Sequence, residues 1–465
     1  MPKHILLATN GPSGMLYSSI ELARRLAAAG HRVTFAAPAA ACELAQHHGL
    51  AITALEDSGY DRFLVEDAGI GPIRRLSTLG RRRQRAADSM GLSEWTRAVR
   101  ELDPDLLLID GEMHEHIITA SASGVPLALL NTFASIWHRP GLPPPHHMVR
   151  PGVGWWGTGF GISMLWRLLH LRKRSRVVTQ WARRIGCDRV SILRWLALEA
   201  GFDLRAESDQ TQWLIPFTYR NFPVLSLHAL EFEFPHLPPD HVHYVGPMVL
   251  ESRLDPMLTP SARAELETIF SRCRTRGHKL IYAGFGSVFS TEPALLRSIV
   301  AAVGSHREWE MIISLGNRGQ RADLGELPSG VHTFDWVPQL EVLQNSDACV
   351  THGGINTIDE CVLGLVPMLV YCGGETDMAG NAARVAHWKL GLVGDRRHDT
   401  TATMRLHLEQ LLEEHRFHDN LSRLRDRCGA YTEDHVAEQI VESLLVSGGP
   451  NRSSLRDRPP RRADE

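Results

Sequence analysis

Short apolar runs, each followed by a longer stretch of helical periodicity, set the rhythm of the first part of the chain. Residues 4–9 (HILLAT) read as a buried strand. Residues 16–29 carry apolar positions at helical spacing and stop at Gly30, a residue suited to the left-handed turn that ends a helix. Residues 32–37 (RVTFAA), 105–109 (DLLLI) and 126–130 (PLALL) predict three more strands. Strands alternating with helices in this way predict a parallel sheet with helices on both faces.

Between 233 and 260 the pattern breaks. The stretch EFPHLPPDHVHYVGPMVLESRLDPMLTP holds Pro235, Pro238, Pro239, Pro247, Pro256 and Pro260. Proline removes a backbone donor and fixes φ, so this text opposes helix and favours a stiff connector. The strand–helix rhythm then restarts, with strands expected at 279–283, 310–315, 331–335, 348–351 and 366–371. The expected organisation is therefore an N-terminal unit over 1–240, a linker over 241–262 and a second unit over 263–447. The remainder, 448–465, is polar and rich in Arg and Pro, and is expected to be a disordered tail.

Composition narrows the function classes. A chain of 465 residues suits two domains, and 43% hydrophobic with 22% charged residues is ordinary for a globular protein. A net charge of −3 supplies no global field for nucleic acid. No apolar run reaches the roughly 18 residues of a membrane span, and the chain enters its first strand without a signal-peptide-like stretch. Seven scattered cysteines form no CxxC pair, so neither a zinc cage nor a disulfide framework is indicated. The expectation is a cytoplasmic protein.

The chemistry concentrates in 334–391. Here the strand 348–351 breaks at His352-Gly353-Gly354, and a helix is expected to begin at Asn356 or Thr357. Two glycines admit a ligand to the backbone, and the new helix offers unpaired N–H groups. That combination suits a diphosphate without any metal. His352, Asn356 and Thr357 can add side-chain donors, and Glu360 lies one turn along, placed to accept from ribose hydroxyls. The competing structural reading makes Thr357-x-x-Glu360 a capping box.

The wider segment resembles the donor signature of the UDP-dependent, family-one glycosyltransferases of the bacterial natural-product type. The matching residues are Trp336-Val337-Pro338-Gln339, His352 to Glu360, Gly364-Leu365-Val366-Pro367-Met368, and Asp377-Met378 followed by Asn381-Ala382. More loosely, Tyr282–Ser287 (YAGFGS) is similar to the family's serine loop, Tyr244–Met248 (YVGPM) to its linker entry, and Pro104–Asp110 (PDLLLID) to its strand ending in the catalytic aspartate.

The resemblance implies an α/β protein of the GT-B fold, two Rossmann-like domains facing across a cleft, with the last helix crossing back. It implies a UDP- or dTDP-sugar donor in the second half and an acceptor in the first. The nucleotide sugar is a co-substrate, and no bound cofactor or metal is expected. By the same resemblance Trp336 stacks on the nucleobase and Gln339 flanks it, with Val337 and Gly354 in the donor site. Glu360 holds the ribose. His352, Asn356, Thr357 and Ser287 hold phosphate oxygens, and Asp377 faces the sugar hydroxyls. Met378 stands where the family has a glutamine that donates to those hydroxyls, which turns the expectation from a plain glucose donor towards a dTDP-deoxysugar, with UDP-glucose still open.

A second departure concerns the base. Inverting members use a histidine at the tip of the first strand–helix turn, held by an aspartate, and the alignment puts Met15 there. A thioether accepts no proton at neutral pH, and losing a general base costs about 10²–10⁴-fold in rate. Asp110, Glu112 and His114 (in DGEMHEH) are the candidate replacements, Asp110 first. Alternatively the acceptor is acidic enough to need little help, or the protein binds a nucleotide sugar without transferring it.

The Trp-rich segment 136–185 carries Trp137, Trp155, Trp156 and Trp166 and the basic run Arg172-Lys173-Arg174-Ser175-Arg176. Either it folds over a pocket with a solvated basic end, or it forms an apolar acceptor pocket whose outer helix rests on a membrane surface. Met15 and Trp137 are the expected acceptor contacts, and the acceptor a hydrophobic small molecule.

Rival classes fit less well. A dehydrogenase wants G-x-G-x-x-G, whereas Gly11 and Gly14 give only G-x-x-G. An Asp-x-Asp metal site would follow a strand, but Asp103-Pro104-Asp105 precedes one. A GT-B nucleotide-sugar epimerase and a silent partner of another transferase remain as alternatives.

Overall fold

A computed structural model of the chain describes residues 2–10, 13–253, 258–285, 292–316, 321–373 and 376–447. In the first half lie β1 (His4–Ala8), β2 (Arg32–Pro38), β3 (Ala51–Leu55), β4 (Leu106–Asp110), β5 (Leu127–Asn131), β6 (Ser208–Asp209), β7 (Thr218–Tyr219), β8 (Val224–Ser226) and β9 (Val242–Tyr244). Seven of them make one sheet in the order β3-β2-β1-β4-β5-β8-β9, while β6 and β7 pair apart. Every pairing in the large sheet is parallel.

The apolar runs explain why the sheet is buried on both faces. Alternate residues of a strand point to opposite sides. Ile5, Leu7 and Leu108 pack with Leu16, Ile20 and Leu26 of α1 (Ser13–Ala28). Leu6, Leu107 and Ile109 pack on the other side with Trp95 and with Ile117 of α2 (His114–Ser121). Neighbouring this half is α3 (Gly159–Arg184), the long helix of the Trp-rich segment.

The second half repeats the plan with β10 (Lys279–Gly284), β11 (Trp309–Ser314), β12 (Val331–Phe334), β13 (Ala348–Thr351), β14 (Met368–Val370) and β15 (Gly391–Val393), in the order β12-β11-β10-β13-β14-β15 and parallel throughout. Its site-forming helices are α4 (Ile355–Gly364) and α5 (Met378–Trp388). The last described helix, α6 (Val436–Ser447), returns to the first half, where Ala437 and Val441 join the core around α1.

Strand order reverses between β1 and β4 in one sheet and between β10 and β13 in the other. Such reversals open a crevice at the C-terminal edges of the strands. Thus the chain is α/β with two Rossmann-like halves.

Buried polar contacts tie the halves together. Arg384 of α5, fully buried, donates through Nε at 2.9 Å and Nη2 at 2.5 Å to Glu233 Oε2. His228 Nδ1 lies 2.6 Å from Asp359 Oδ2, and Trp388 Nε1 donates to the Phe232 carbonyl at 2.9 Å. Burial opposes charge on His228, yet Asp359 and the Thr132 carbonyl raise its pKa above the ordinary value.

Several elements differ from the sequence-based expectation. Six strands, β3, β6, β7, β8, β9 and β15, were not foreseen; five of them have only two or three residues, and β3 shows mostly exposed positions. Within the expected linker, residues 242–244 pair with β8, and a helix is already under way at Pro260. The tail 448–465 lies outside the described residues.

Candidate active site in the cleft

The turn from β13 into α4 is built by glycines. Gly353 has φ +90°, and a Cβ there would lie 2.9 Å from Val370 Cγ1; at Gly354 it would lie 2.7 Å from His352 Nε2. Gly354 is the N-cap and no side chain caps the helix, so the first amides of α4 keep no intrahelical partner. The helix begins at Ile355, earlier than expected, so Thr357 sits inside its first turn rather than at the cap. Glu360 is engaged elsewhere, which removes the capping-box reading.

Around this turn lies a cavity of about 1040 Å³, walled by both halves. From the second half His352, Gly354, Asn356, Thr357, Glu360, Trp336, Val337, Gln339, Asp377 and Met378 all line it. Burial drives the His352 pKa down to about 4, so its imidazole is a neutral group at pH 7. Gln339 Oε1 accepts from the Tyr282 hydroxyl at 3.0 Å, while Nε2 reaches Thr357 Oγ1 at 3.3 Å and Glu360 Oε2. Arg253 donates to Glu360 Oε1 at 2.7 Å and lies 3.7 Å over the Tyr17 ring of α1. Asn356 Oδ1 accepts from Ser18 across the cleft at 3.3 Å. Asp377 accepts from Asn381 Nδ2 at 2.8 Å, and the same amide donates to the Gly353 carbonyl at 3.0 Å, bracing the turn. Ser287 lies outside the described residues.

The first half sorts its three candidate bases. Asp110 ends β4 and is buried; Oδ1 accepts the Glu112 amide at 3.0 Å, whereas Oδ2 is sealed from solvent without a hydrogen-bond partner. Burial pushes its pKa up to about 7. Asp110 is not on the cavity wall, which corrects its first place among the bases. His114 is corrected too. It begins α2 inside the core, with its ring 4.7 Å from Phe217 and Nδ1 3.3 Å from the Tyr219 hydroxyl, and burial lowers its pKa to about 3. Glu112 alone of the three lines the cavity. Burial raises its pKa above the ordinary carboxylate value, Arg189 opposes that, and Asp377 facing it across the cleft adds to it. Position 15 is in the first turn of α1, but its side chain lies outside the described residues.

Trp137 is also corrected. It is 4% exposed, packs in the core of the first half, meets His241 edge-on at 5.1 Å and does not line the cavity.

Comparison with known proteins agrees with this geometry. The family described as "Erythromycin biosynthesis protein CIII-like, C-terminal domain" matches residues 297–443. The oleandomycin glycosyltransferase of Streptomyces antibioticus is 26% identical over 387 residues, covering 82% of this chain and 76% of that protein. Among solved structures, the glycotransferase of kitacinnamycin superposes with a TM-score of 0.67 at 20% identity, covering 96% of this chain and 99% of that one. The glycosyltransferase VinC, solved in complex with dTDP, gives 0.59 at 17% identity, covering 96% and 99%. Together these likenesses support a family-one natural-product glycosyltransferase with the GT-B fold.

In this glycosyltransferase the Trp-rich segment reaches the cleft by an unforeseen route. His146, His147 and, from α3, Leu169, Arg172, Lys173 and Arg176 line the cavity, and Gly380 of α5 donates its N–H to the Pro145 carbonyl at 2.7 Å. None of its five tryptophans does so. Trp166 is buried with Nε1 on the Leu142 carbonyl at 2.8 Å, while Trp155 and Trp156 face outward. The aromatic wall comes instead from Phe133 and Trp213, 5.4 Å apart, with Trp213 Nε1 donating to His146 Nδ1 at 3.0 Å. These two and Tyr17 were missed, because no local pattern marks a lone aromatic residue in a loop or first helical turn as a pocket wall.

Proposed function

We infer that the protein transfers a sugar, with inversion at the anomeric carbon, from a UDP- or dTDP-sugar to an apolar natural-product acceptor. The observation that carries the reading is the single cavity that joins the open N-terminus of α4 to Glu112 on the opposite half.

In this reading the diphosphate lies on the first amides of α4, which no intrahelical carbonyl takes up, with Asn356 and Thr357 adding donors. Trp336 offers its ring to the base, and Glu360 accepts from the ribose. Phe133, Trp213, Leu214 and Ile215 form the apolar side of the acceptor site. The acceptor hydroxyl attacks the anomeric carbon and gives its proton to the Glu112 carboxylate, while the carbon–oxygen bond to the diphosphate breaks. The charge left on the diphosphate develops at a helix N-terminus, where fixed dipoles stabilise it. A raised Glu112 pKa suits the task, because a base close to the working pH binds the transferred proton more firmly. Met378 presents a thioether to the sugar, which favours a deoxysugar with fewer hydroxyls to satisfy.

The test combines two measurements. Calorimetry with UDP and dTDP is expected to show one site per chain, and product analysis with a panel of UDP- and dTDP-sugars to show an inverted anomeric linkage. Absence of nucleoside diphosphate binding overturns the donor site; retention of configuration overturns the mechanism.

A further inference from the structure

The outward face of α3 has the wrong composition for a solvated helix. Its inward face buries Ile162, Leu165, Trp166, Leu169 and Lys173. Positions 160, 164, 167, 171, 174 and 178, spaced by three or four, lie together on the opposite side. There Phe160 is 62% exposed, Leu171 62% and Val178 65%. The stripe is extended at its start by an aromatic cluster, Trp155 stacking edge-on with Trp156 at 4.5 Å and with Phe160 at 5.9 Å, and near its end by exposed Trp181. Scattered apolar residues on a surface are ordinary, but exposed Phe160, Leu171 and Val178 on one helix face, with Trp155 and Trp156 beside its start, are concentrated enough to mark an interaction surface.

Charge decides the partner. No Asp or Glu occurs between Glu115 and Asp188, while Arg167 and Arg174 stand on the same face among its apolar residues and Arg183 follows it. Arg167 and Arg174 take part in no ion pair among the described residues. A two-fold dimer through this face would set arginine against arginine, since such an interface brings the same patch against itself. Apolar side chains with tryptophans at the ends and arginines alongside fit instead the boundary between headgroups and acyl chains of an anionic bilayer. No helix among the described residues is long and apolar enough to cross a membrane, so the contact is one of lying on the surface.

We propose that α3 and the loop before it dock this protein on anionic membranes, with Trp155, Phe160 and Leu171 entering the headgroup boundary and Arg167 and Arg174 pairing with acidic lipids. The inference is independent of which sugar is moved. It is tested with the full chain in vesicle flotation, using phosphatidylcholine alone and phosphatidylcholine mixed with phosphatidylglycerol. The expected result is flotation with the anionic vesicles, weakened by salt and nearly absent with phosphatidylcholine alone.

Arg167→Gln with Arg174→Gln is expected to lower partitioning roughly 10–30-fold, and Phe160→Ser with Leu171→Ser to abolish it. Unchanged melting and an unchanged thermal shift with UDP or dTDP would show that these variants remain folded with an intact donor site. Failure to float, equal flotation with both vesicle types, or flotation unaffected by both double variants overturns the proposal. So does a soluble dimer, seen by light scattering, that the Leu171→Ser change dissociates. The donor-site reading survives any of these results.

Discussion

The two crevices of this molecule have the same topology and opposite histories of legibility. In the second half, every residue expected in the donor site and described in the structure lines the cavity: Trp336, Val337, Gln339, His352, Gly354, Asn356, Thr357, Glu360, Asp377 and Met378. In the first half, two of three candidate bases are buried outside it and the expected aromatic contact is a core residue. The difference has a physical cause. A diphosphate is held by a backbone shape, and a shape needs glycines and a helix start at fixed spacing along the chain. An acceptor and its proton are handled by side chains gathered from separate loops, which leave no periodic trace.

The sharpest way to break that contrast is Glu112→Gln. With saturating substrates, kcat is expected to fall about 10²–10⁴-fold while calorimetry finds nucleoside diphosphate binding unchanged. In the wild type, the acidic limb of kcat/KM is expected above the ordinary glutamate range, because burial and Asp377 raise the Glu112 pKa. A variant at full speed, or one whose nucleotide affinity falls with its rate, removes the division of labour between the halves.

Next in size is the tie between them. Glu233→Ala leaves Arg384 buried without its carboxylate, an arrangement that costs about 3–5 kcal/mol. Denaturant unfolding should register that loss, and the two halves should cease to melt together.

Asp110→Asn follows. Between about pH 4 and about pH 7 the unfolded chain has released this proton while the folded chain keeps it. Stability of the wild type therefore falls as pH rises through that window. The asparagine variant should escape a loss on the order of 4 kcal/mol, so its advantage grows from pH 4 to pH 8. An advantage that does not change with pH would mean Asp110 is not held as a neutral acid.

Smallest is Thr357→Val, which keeps the shape of α4 and removes one donor. Roughly a tenfold weaker Kd for UDP or dTDP is expected, equivalent to about 1.4 kcal/mol. No change would mean that the backbone amides hold the diphosphate without side-chain help.

Long apolar runs such as HILLA and LLLID were readable because a strand covered on both faces needs nothing else. Three-residue strands such as Met368–Val370 and Gly391–Val393 sit at the limit of what pattern can reveal. The first was caught inside the longer run 366–371, and the second had only GLV to announce it. The start of α4 was misjudged by a residue or two, since its N-cap is a glycine rather than a side-chain acceptor. Glu112 was found as one of three, and only burial separates it from Asp110 and His114, neighbours in sequence that differ in which way the strand end and helix turn them. The basic run divided likewise. Arg172, Lys173 and Arg176 face the cavity while Arg174 faces out, a split that follows from a turn of 3.6 residues.

A buried acid on a cavity wall is an electrostatic burden wherever it lacks a partner, and here that burden is already lifted. Glu360 rests against the guanidinium of Arg253, which is itself spread over the Tyr17 ring. In the proposed reading, a ribose arriving at that carboxylate exchanges partners instead of rescuing a stranded charge. On that reading the hold on the sugar–phosphate is a difference between two satisfied states, and the spent nucleotide would leave without exposing the interior to an unpaired anion.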